Sequence, residues 1–171
     1  MKNGNFKRQL SEVRREMKSG EIAKALDGVE ALLARWPGSA ALHILRAELI
    51  QLSNEQSPSL ETARQSLEHA REYDESSVEA CTELAHFQFS VEDDPAGADK
   101  SFAAAIDIAT RQLTTALVGR AAALTELGRS EEAFDCLARA QWVRSAKARF
   151  QVEPAARDDL LDRFESLLSC R

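Results

Sequence analysis

The sequence predicts an all-α protein built from stacked, antiparallel helix pairs. Only 7 of its 171 residues are Gly and 4 are Pro, too few for the tight turns that connect many short strands. Small and apolar residues also recur at helical spacing with a period near 35 residues, which is typical of helical-repeat proteins. The length is that of one domain, so we expect residues 1–171 to form a single domain.

The composition excludes several classes of protein. Lys and Arg number 22 against 28 Asp and Glu, a net charge of −6, whereas nucleic-acid binding depends on an excess of basic side chains. The N-terminus lacks the apolar core of a secretory signal, and no apolar stretch is long enough to insert in a membrane. The three cysteines form no close pair. Free thiols suit a reducing compartment, so we expect a cytoplasmic location.

One group of three residues carries the repeat. Ala25, Val29 and Leu32 lie at offsets of four and seven, which places them on one face of a helix. The same spacing recurs after steps of 38, 35 and 35 residues as Ala63, Leu67, Ala70, then Ala98, Phe102, Ala105, then Ala133, Leu137, Ala140. Each set predicts the inner face of an amphipathic helix, with the small Ala allowing a neighbouring backbone to approach.

A second helix with its own small residue precedes each of the last three sets, at Ala47, Ala85 and Ala121. Capping residues and glycines mark most boundaries, including Ser19-Gly20, Asp94-Pro95 and Gly128-Arg129-Ser130. The resulting prediction is nine helices, at about 5–18, 21–35, 39–52, 58–73, 77–90, 95–109, 112–127, 130–146 and 155–169. Between Ile108 and Leu113 there is no Gly or Pro, so the turn expected there has no sequence signal of its own.

The pattern resembles the tetratricopeptide repeat family, whose unit is a helix–turn–helix of about 34 residues. The resemblance covers four degenerate repeats at about 6–37, 40–75, 78–110 and 114–145, with a capping helix at about 155–169. The second helices match well, but the first helices replace the family's Trp by Cys81 or Leu117, and the closing Pro survives only at Pro37. The resemblance implies a right-handed superhelical solenoid with a concave groove lined by the first helices.

Carried over from the family, the groove positions name a candidate protein-binding site. Its residues are Lys7, Leu10, Arg14, Ile44, Glu48, Thr82, His86, Phe89, Val118 and Ala122, with Ala41, Glu79 and Thr115 at further inward positions. Only Lys7 and Arg14 supply positive charge, so the set departs from the family members that grip a peptide C-terminus. The apolar members favour an amphipathic helix or an extended segment as ligand. The same residues could instead pack beneath the ends of the solenoid.

No catalytic motif is present in the sequence, and we expect neither enzymatic activity nor a cofactor. His43, His69 and His86 lie on separate predicted helices without the spacing of a metal site. The acid pairs Asp93-Asp94 and Asp158-Asp159 fall at predicted helix starts, where carboxylates favour the helix dipole. Trp36 and Trp142 are interpreted as packing residues between repeats.

The sequence therefore predicts a protein-interaction scaffold or adaptor that binds a segment of a partner protein in its groove. Two alternatives stay open: a self-assembling structural protein that forms homo-oligomers, and a chaperone of a secretion or assembly system. Self-assembly draws on the uneven charge, because residues 1–18 hold six Lys or Arg and two Glu while 61–99 hold eleven acids and two Arg. Opposite charges of this kind can steer a partner or a second copy.

Overall fold

The computed structural model describes residues 2–53 and 58–149, and the regular secondary structure of these residues is α-helical throughout. The chain divides into two compact units, unit 1 (Met1–Ala109) and unit 2 (Thr110–Arg171). The helices in chain order are α1 (Lys2–Lys18), α2 (Ile22–Leu33), α3 (Ala40–Leu52), α4 (Leu60–Tyr73), α5 (Val78–Ser90), α6 (Pro95–Glu126) and α7 (Ser130–Arg149).

In unit 1, each helix from α1 to α5 packs against the next one along the chain, and α3 also contacts α5. This neighbour-to-neighbour packing is the mark of a helical-repeat array, in which successive pairs share one continuous core. The largest side chains that are completely enclosed in this core come from α2 to α5: Val29, Leu32, Leu42, Leu49, Leu67 and Leu84.

The repeated small residues are buried, as the sequence predicts. Ala25, Ala63, Ala98 and Ala133, which begin the four sets, are all at most 5% exposed. The small residues of the preceding helices, Ala47, Ala85 and Ala121, are equally enclosed. Two larger members of the sets are less enclosed: Phe102 is only partly buried, and Leu137 is about half exposed and lines an open cavity of unit 2.

The helix ends follow the predicted signals. Gly20 and Gly128 adopt positive φ angles of 81° and 72°, the left-handed conformation that terminates α1 and α6 with Schellman-type hydrogen bonds. At the start of α5, the Ser77 hydroxyl accepts a hydrogen bond from the Ala80 N–H at 3.1 Å. At the start of α6, the Asp94 carboxylate accepts one from the Gly97 N–H at 2.9 Å. Both residues are N-caps.

The prediction of nine helices is wrong at one junction. The helices expected at 95–109 and 112–127 are a single helix, α6, of 32 residues. Residues 108–113 contain no helix breaker, and the Thr114 hydroxyl bonds back to the Thr110 carbonyl at 2.8 Å within the continuous helix. Seven helices thus occupy the described residues, and the capping helix expected at about 155–169 lies outside them.

Unit 2, as far as the structure describes it, pairs the second half of α6 with α7. Its small core joins Ala121 and Leu124 of α6 to Ala133 and Cys136 of α7. Trp142 does not pack as expected, since its side chain on α7 is 64% exposed.

The other tryptophan is a packing residue, but its ring contact lies within the first predicted repeat and not between repeats. Trp36, after α2, contacts the Phe6 ring of α1 edge-to-face at 4.8 Å between centroids. It packs against the core of unit 1 and therefore helps to join α1 to the following helices.

Candidate functional site

The predicted groove residues from Lys7 to Phe89 lie on α1, α3 and α5 of unit 1. Side chains of these three helices border an open cavity of about 270 Å³. We call this cavity the α1/α3/α5 cleft. Three residues of the predicted site line it, namely Arg14, Ile44 and Glu48, together with the inward positions Ala41 and Glu79. The remaining lining residues were not predicted: Met17, Lys18 and Leu45.

The floor of the cleft is apolar. Ile44 is only 9% exposed and belongs to the core of unit 1, as does Leu45. Met17 of α1 packs against the same core, and so does Leu10, which lies seven residues earlier on the same helix. Ile44 therefore presents a small part of its side chain to a ligand, while most of it fixes α3 in place.

The walls of the cleft carry opposite charges. Arg14 and Lys18 come from α1, and Glu48 and Glu79 come from α3 and α5. Burial raises the pKa of the Glu48 carboxyl, and the nearby carboxylates of Glu83 and Glu79 raise it further, while Arg14 opposes them. Two acidic side chains, Glu48 and Glu79, thus face two basic ones, Arg14 and Lys18, across the cleft.

Three predicted residues of α5 have other surroundings. The Thr82 hydroxyl donates to the carbonyl oxygens of Val78 and Glu79 on its own helix. The His86 ring contacts the Phe102 ring of α6 edge-to-face, with 5.1 Å between centroids. Phe89 is 61% exposed. None of these three lines the α1/α3/α5 cleft, and Lys7 is an exposed residue near the start of α1.

The last two predicted residues, Val118 and Ala122, belong to unit 2. Val118 lines an open cavity of about 590 Å³ between α6 and α7. Ala122 is exposed on α6 and does not line that cavity. The other lining residues are Thr114, Leu137, Ala140, Gln141, Arg144 and Ser145.

The described residues hold no group of three or more His, Cys, Asp or Glu side chains placed to bind a metal ion. His43 and His69 do approach each other, with 5.4 Å between ring centroids, beside Tyr73. Cys81 and Cys136 are buried free thiols. Burial raises the pKa of the Cys81 thiol, which disfavours the reactive thiolate.

Among the described helices, none combines the length and the apolar character that a membrane span requires. No family model matches the chain, and no curated protein matches it in sequence.

The chain is similar to the crystal structure of MamA, with a TM-score of 0.53 and 17% sequence identity over 85% of this chain and 82% of that one. At this identity the likeness concerns the fold alone. Together with the buried repeat positions, it supports a tetratricopeptide-like helical-repeat fold for this chain.

Proposed function

We propose that the protein is a non-catalytic interaction module that binds a segment of a partner protein in the α1/α3/α5 cleft. The observation that carries the proposal is the convergence of three helices on one cavity with an apolar floor and charged walls. Clefts that combine an apolar floor with a few polar groups at the rim suit helix or peptide recognition.

The charges define the partner further. Glu48 and Glu79 line the acidic side of the cleft. Burial raises the pKa of Glu48, and repulsion from the carboxylates of Glu83 and Glu79 raises it further. A Lys or Arg of the partner relieves this repulsion, while an adjacent apolar side chain covers Ile44 and Met17. The preferred ligand is therefore an amphipathic segment with a basic residue beside an apolar one.

A random-peptide display selection on the immobilised protein tests the proposal. Peptides that pair an apolar residue with Lys or Arg should be enriched, and Glu48→Lys combined with Glu83→Lys should abolish their binding. The matched control is Glu75→Lys, which changes an exposed acid in the turn after α4.

Two results would overturn the proposal: selected peptides without a basic residue, or binding that survives the double substitution and is lost with the control. Binding of a basic peptide should also weaken as the pH falls through the raised pKa of Glu48, because protonation removes one of the attracting charges.

A further inference from the structure

Unit 2 leaves most of its large apolar side chains outside its core. The core of its described residues holds four side chains, and Leu124 is the one large residue among them. In a repeat array, a single helix pair cannot bury its apolar face alone, so a further element covers the end of the array. Six larger apolar side chains of the described part of unit 2 are 48% to 72% exposed: Leu113, Val118, Leu127, Phe134, Leu137 and Trp142.

The open cavity of about 590 Å³ in unit 2 is a place where a covering element can lie. Val118 of α6 and Leu137 of α7 give it an apolar lining, and further lining residues follow along α7 as far as Ser145. Residues 137 and 145 are about 12 Å apart along the helix axis. The described lining combines these apolar side chains with the positive charge of Arg144.

Residues 155–169 of the same chain have the sequence of an element that fits this cavity. At helical spacing, their large apolar residues fall on one face, while Asp158, Asp159 and Asp162 fall outside it. A helix of this length is about 22 Å long, enough to cover the cavity. We call this face the C-terminal stripe, and it consists of Leu160, Leu161, Phe164, Leu167 and Leu168.

The chain between α7 and this segment is long enough to bring the segment back to the cavity. The helix α7 ends at Arg149, so residues 150–154 form the connection. Five residues span up to about 17 Å, more than the roughly 8–10 Å between the axes of packed helices. Pro154 is suited to the start of a following helix. A segment that returns antiparallel along α7 passes Ser145 before Leu137.

The charges of the segment and of α7 are opposite. From residue 138 to the end of α7 the sequence has four basic residues and no acid, whereas residues 153–165 contain five acids and two Arg. Of the four basic residues, Arg144 lines the cavity and Arg139 is exposed. Opposite charges around an apolar contact favour this pairing. A second copy of α7 in the same place would instead bring basic side chains together.

We propose that residues 155–169 form an amphipathic helix that packs into the unit 2 cavity of the same chain. The C-terminal stripe covers Val118 and Leu137, and the acids of the segment lie near Arg144. The contact buries apolar surface that the pair of α6 and α7 leaves open. The unit 2 cavity is therefore occupied by the chain itself and is not a second site for a partner.

Photocrosslinking identifies what occupies the cavity. Leu137 is replaced by the photoreactive residue p-benzoylphenylalanine, and the crosslinked peptides of the irradiated protein are identified by mass spectrometry. Crosslinks to residues 155–169 within one chain are expected. The same residue in place of Ala116, which is exposed and about half a turn from Val118 around α6, should give none. Crosslinks between two chains, or no crosslink from position 137 to the segment, would overturn the proposal.

A substitution in the C-terminal stripe tests whether the stripe protects α7. Phe164→Glu should release the segment from the cavity, so the backbone amides of α7 should exchange hydrogen at least about tenfold faster. Ser166→Glu is the matched control, because it adds the same charge about half a turn away around the expected helix. Unchanged exchange in Phe164→Glu, or equal acceleration in both variants, would show that the stripe does not cover α7.

A synthetic peptide tests whether the cavity is already filled. The peptide comprises residues 153–171 with Cys170→Ser and a fluorescent label, and anisotropy measures its binding. It should bind the Phe164→Glu protein at least about tenfold more tightly than the unmodified protein, whose own segment competes for the cavity. Adding Leu137→Glu should remove this binding, whereas adding Ala116→Glu should not. Equal binding to the Phe164→Glu and unmodified proteins would overturn the proposal.

Discussion

At the scale of single residues, Arg46 joins three helices of unit 1. From α3, its Nε donates to Glu30 of α2 at 2.6 Å, and a terminal guanidinium nitrogen donates to the Ser66 hydroxyl of α4 at 3.1 Å. Ser66 is completely buried, and its hydroxyl donates a hydrogen bond to the Thr62 carbonyl oxygen at 2.8 Å. The Arg46 side chain is 22% exposed and that of Glu30 is 44% exposed, so the bond to the buried Ser66 is the better protected from water.

Replacing Arg46 should therefore destabilise unit 1. Arg46→Met keeps the aliphatic stem but removes both hydrogen bonds, and we expect the free energy of unfolding to fall by about 1–2 kcal/mol. Chemical denaturation measures the change. Arg15→Met is the matched control, since it removes a more exposed pair between Arg15 and Glu12 on one helix and should change stability little. An equal loss in both variants would contradict the role of Arg46.

His43 is the buried titratable group whose protonation state the fold constrains most clearly. It is only 8% exposed, and its Nε2 lies 2.8 Å from the Pro37 carbonyl oxygen. A carbonyl only accepts, so Nε2 carries the proton, and the buried Nδ1 has no hydrogen-bond partner. Protonating Nδ1 would bury an unpaired charge. Burial accordingly lowers the pKa of His43.

The lowered pKa predicts a loss of stability in mild acid. Below the ordinary pKa of about 6.5, the unfolded chain binds a proton at His43 that the folded protein does not take up until lower pH. The free energy of unfolding should therefore fall as the pH drops from about 7 to about 5. Denaturation at several pH values should show a shallower slope for His43→Gln. Identical slopes in the two proteins would refute the assignment.

At the scale of helices, the sequence predicts most of unit 1 and fails in the middle of α6. The buried alanines that begin the repeated sets could be predicted, because a small residue within an apolar helix face indicates close packing against a neighbouring helix. The repeat period implies a turn near residue 110, but the local sequence contains no residue that stops a helix. At this point the local preference for helix outweighs the repeat period. The repeat pattern alone does not show that the turn is missing.

The candidate site could also be predicted only in part. Arg14, Ile44 and Glu48 could be predicted because they are inward positions on helices whose packing the repeat determines. Met17 and Lys18 continue the face of Arg14 by one turn and could have been found by extending that spacing. The contact of His86 with Phe102 depends on how α6 packs on α5. The position of His86 outside the cleft therefore could not be predicted from the sequence of α5 alone.

Gly119 offers a test of α6 as a continuous helix. It lies in the interior of α6, and a Cβ added there would meet no atom within 4 Å. Gly119→Ala should raise the thermal stability of the protein, by about 0.5–1 kcal/mol, because Ala loses less backbone entropy in a helix.

Gly128→Ala is the matched comparison, measured by the same thermal denaturation. It also has open space around it, but its φ of 72° is left-handed, so the substitution should lower stability by about 1 kcal/mol. Stabilisation by both substitutions, or destabilisation by both, would contradict the assigned backbone conformations.

At the scale of the whole molecule, the two units have separate cores. The large cluster of unit 1 contains Leu67, which is 1% exposed, and the small cluster of unit 2 contains Leu124, which is 4% exposed. In repeat proteins, stability is the sum of local terms between neighbouring elements. We therefore expect the two units to open in separate steps, each governed by its own core residues.

Hydrogen exchange followed by mass spectrometry can measure the two openings separately. Leu67→Ala leaves a cavity in unit 1 and should lower the opening free energy of α2 to α4 by about 2–5 kcal/mol, while the amides of α7 keep their protection. Leu124→Ala should have the reverse effect, because among the described residues its side chain belongs to the core of unit 2. If either substitution lowered protection equally in both units, the chain would unfold as one cooperative block, and the local-stability argument would be wrong.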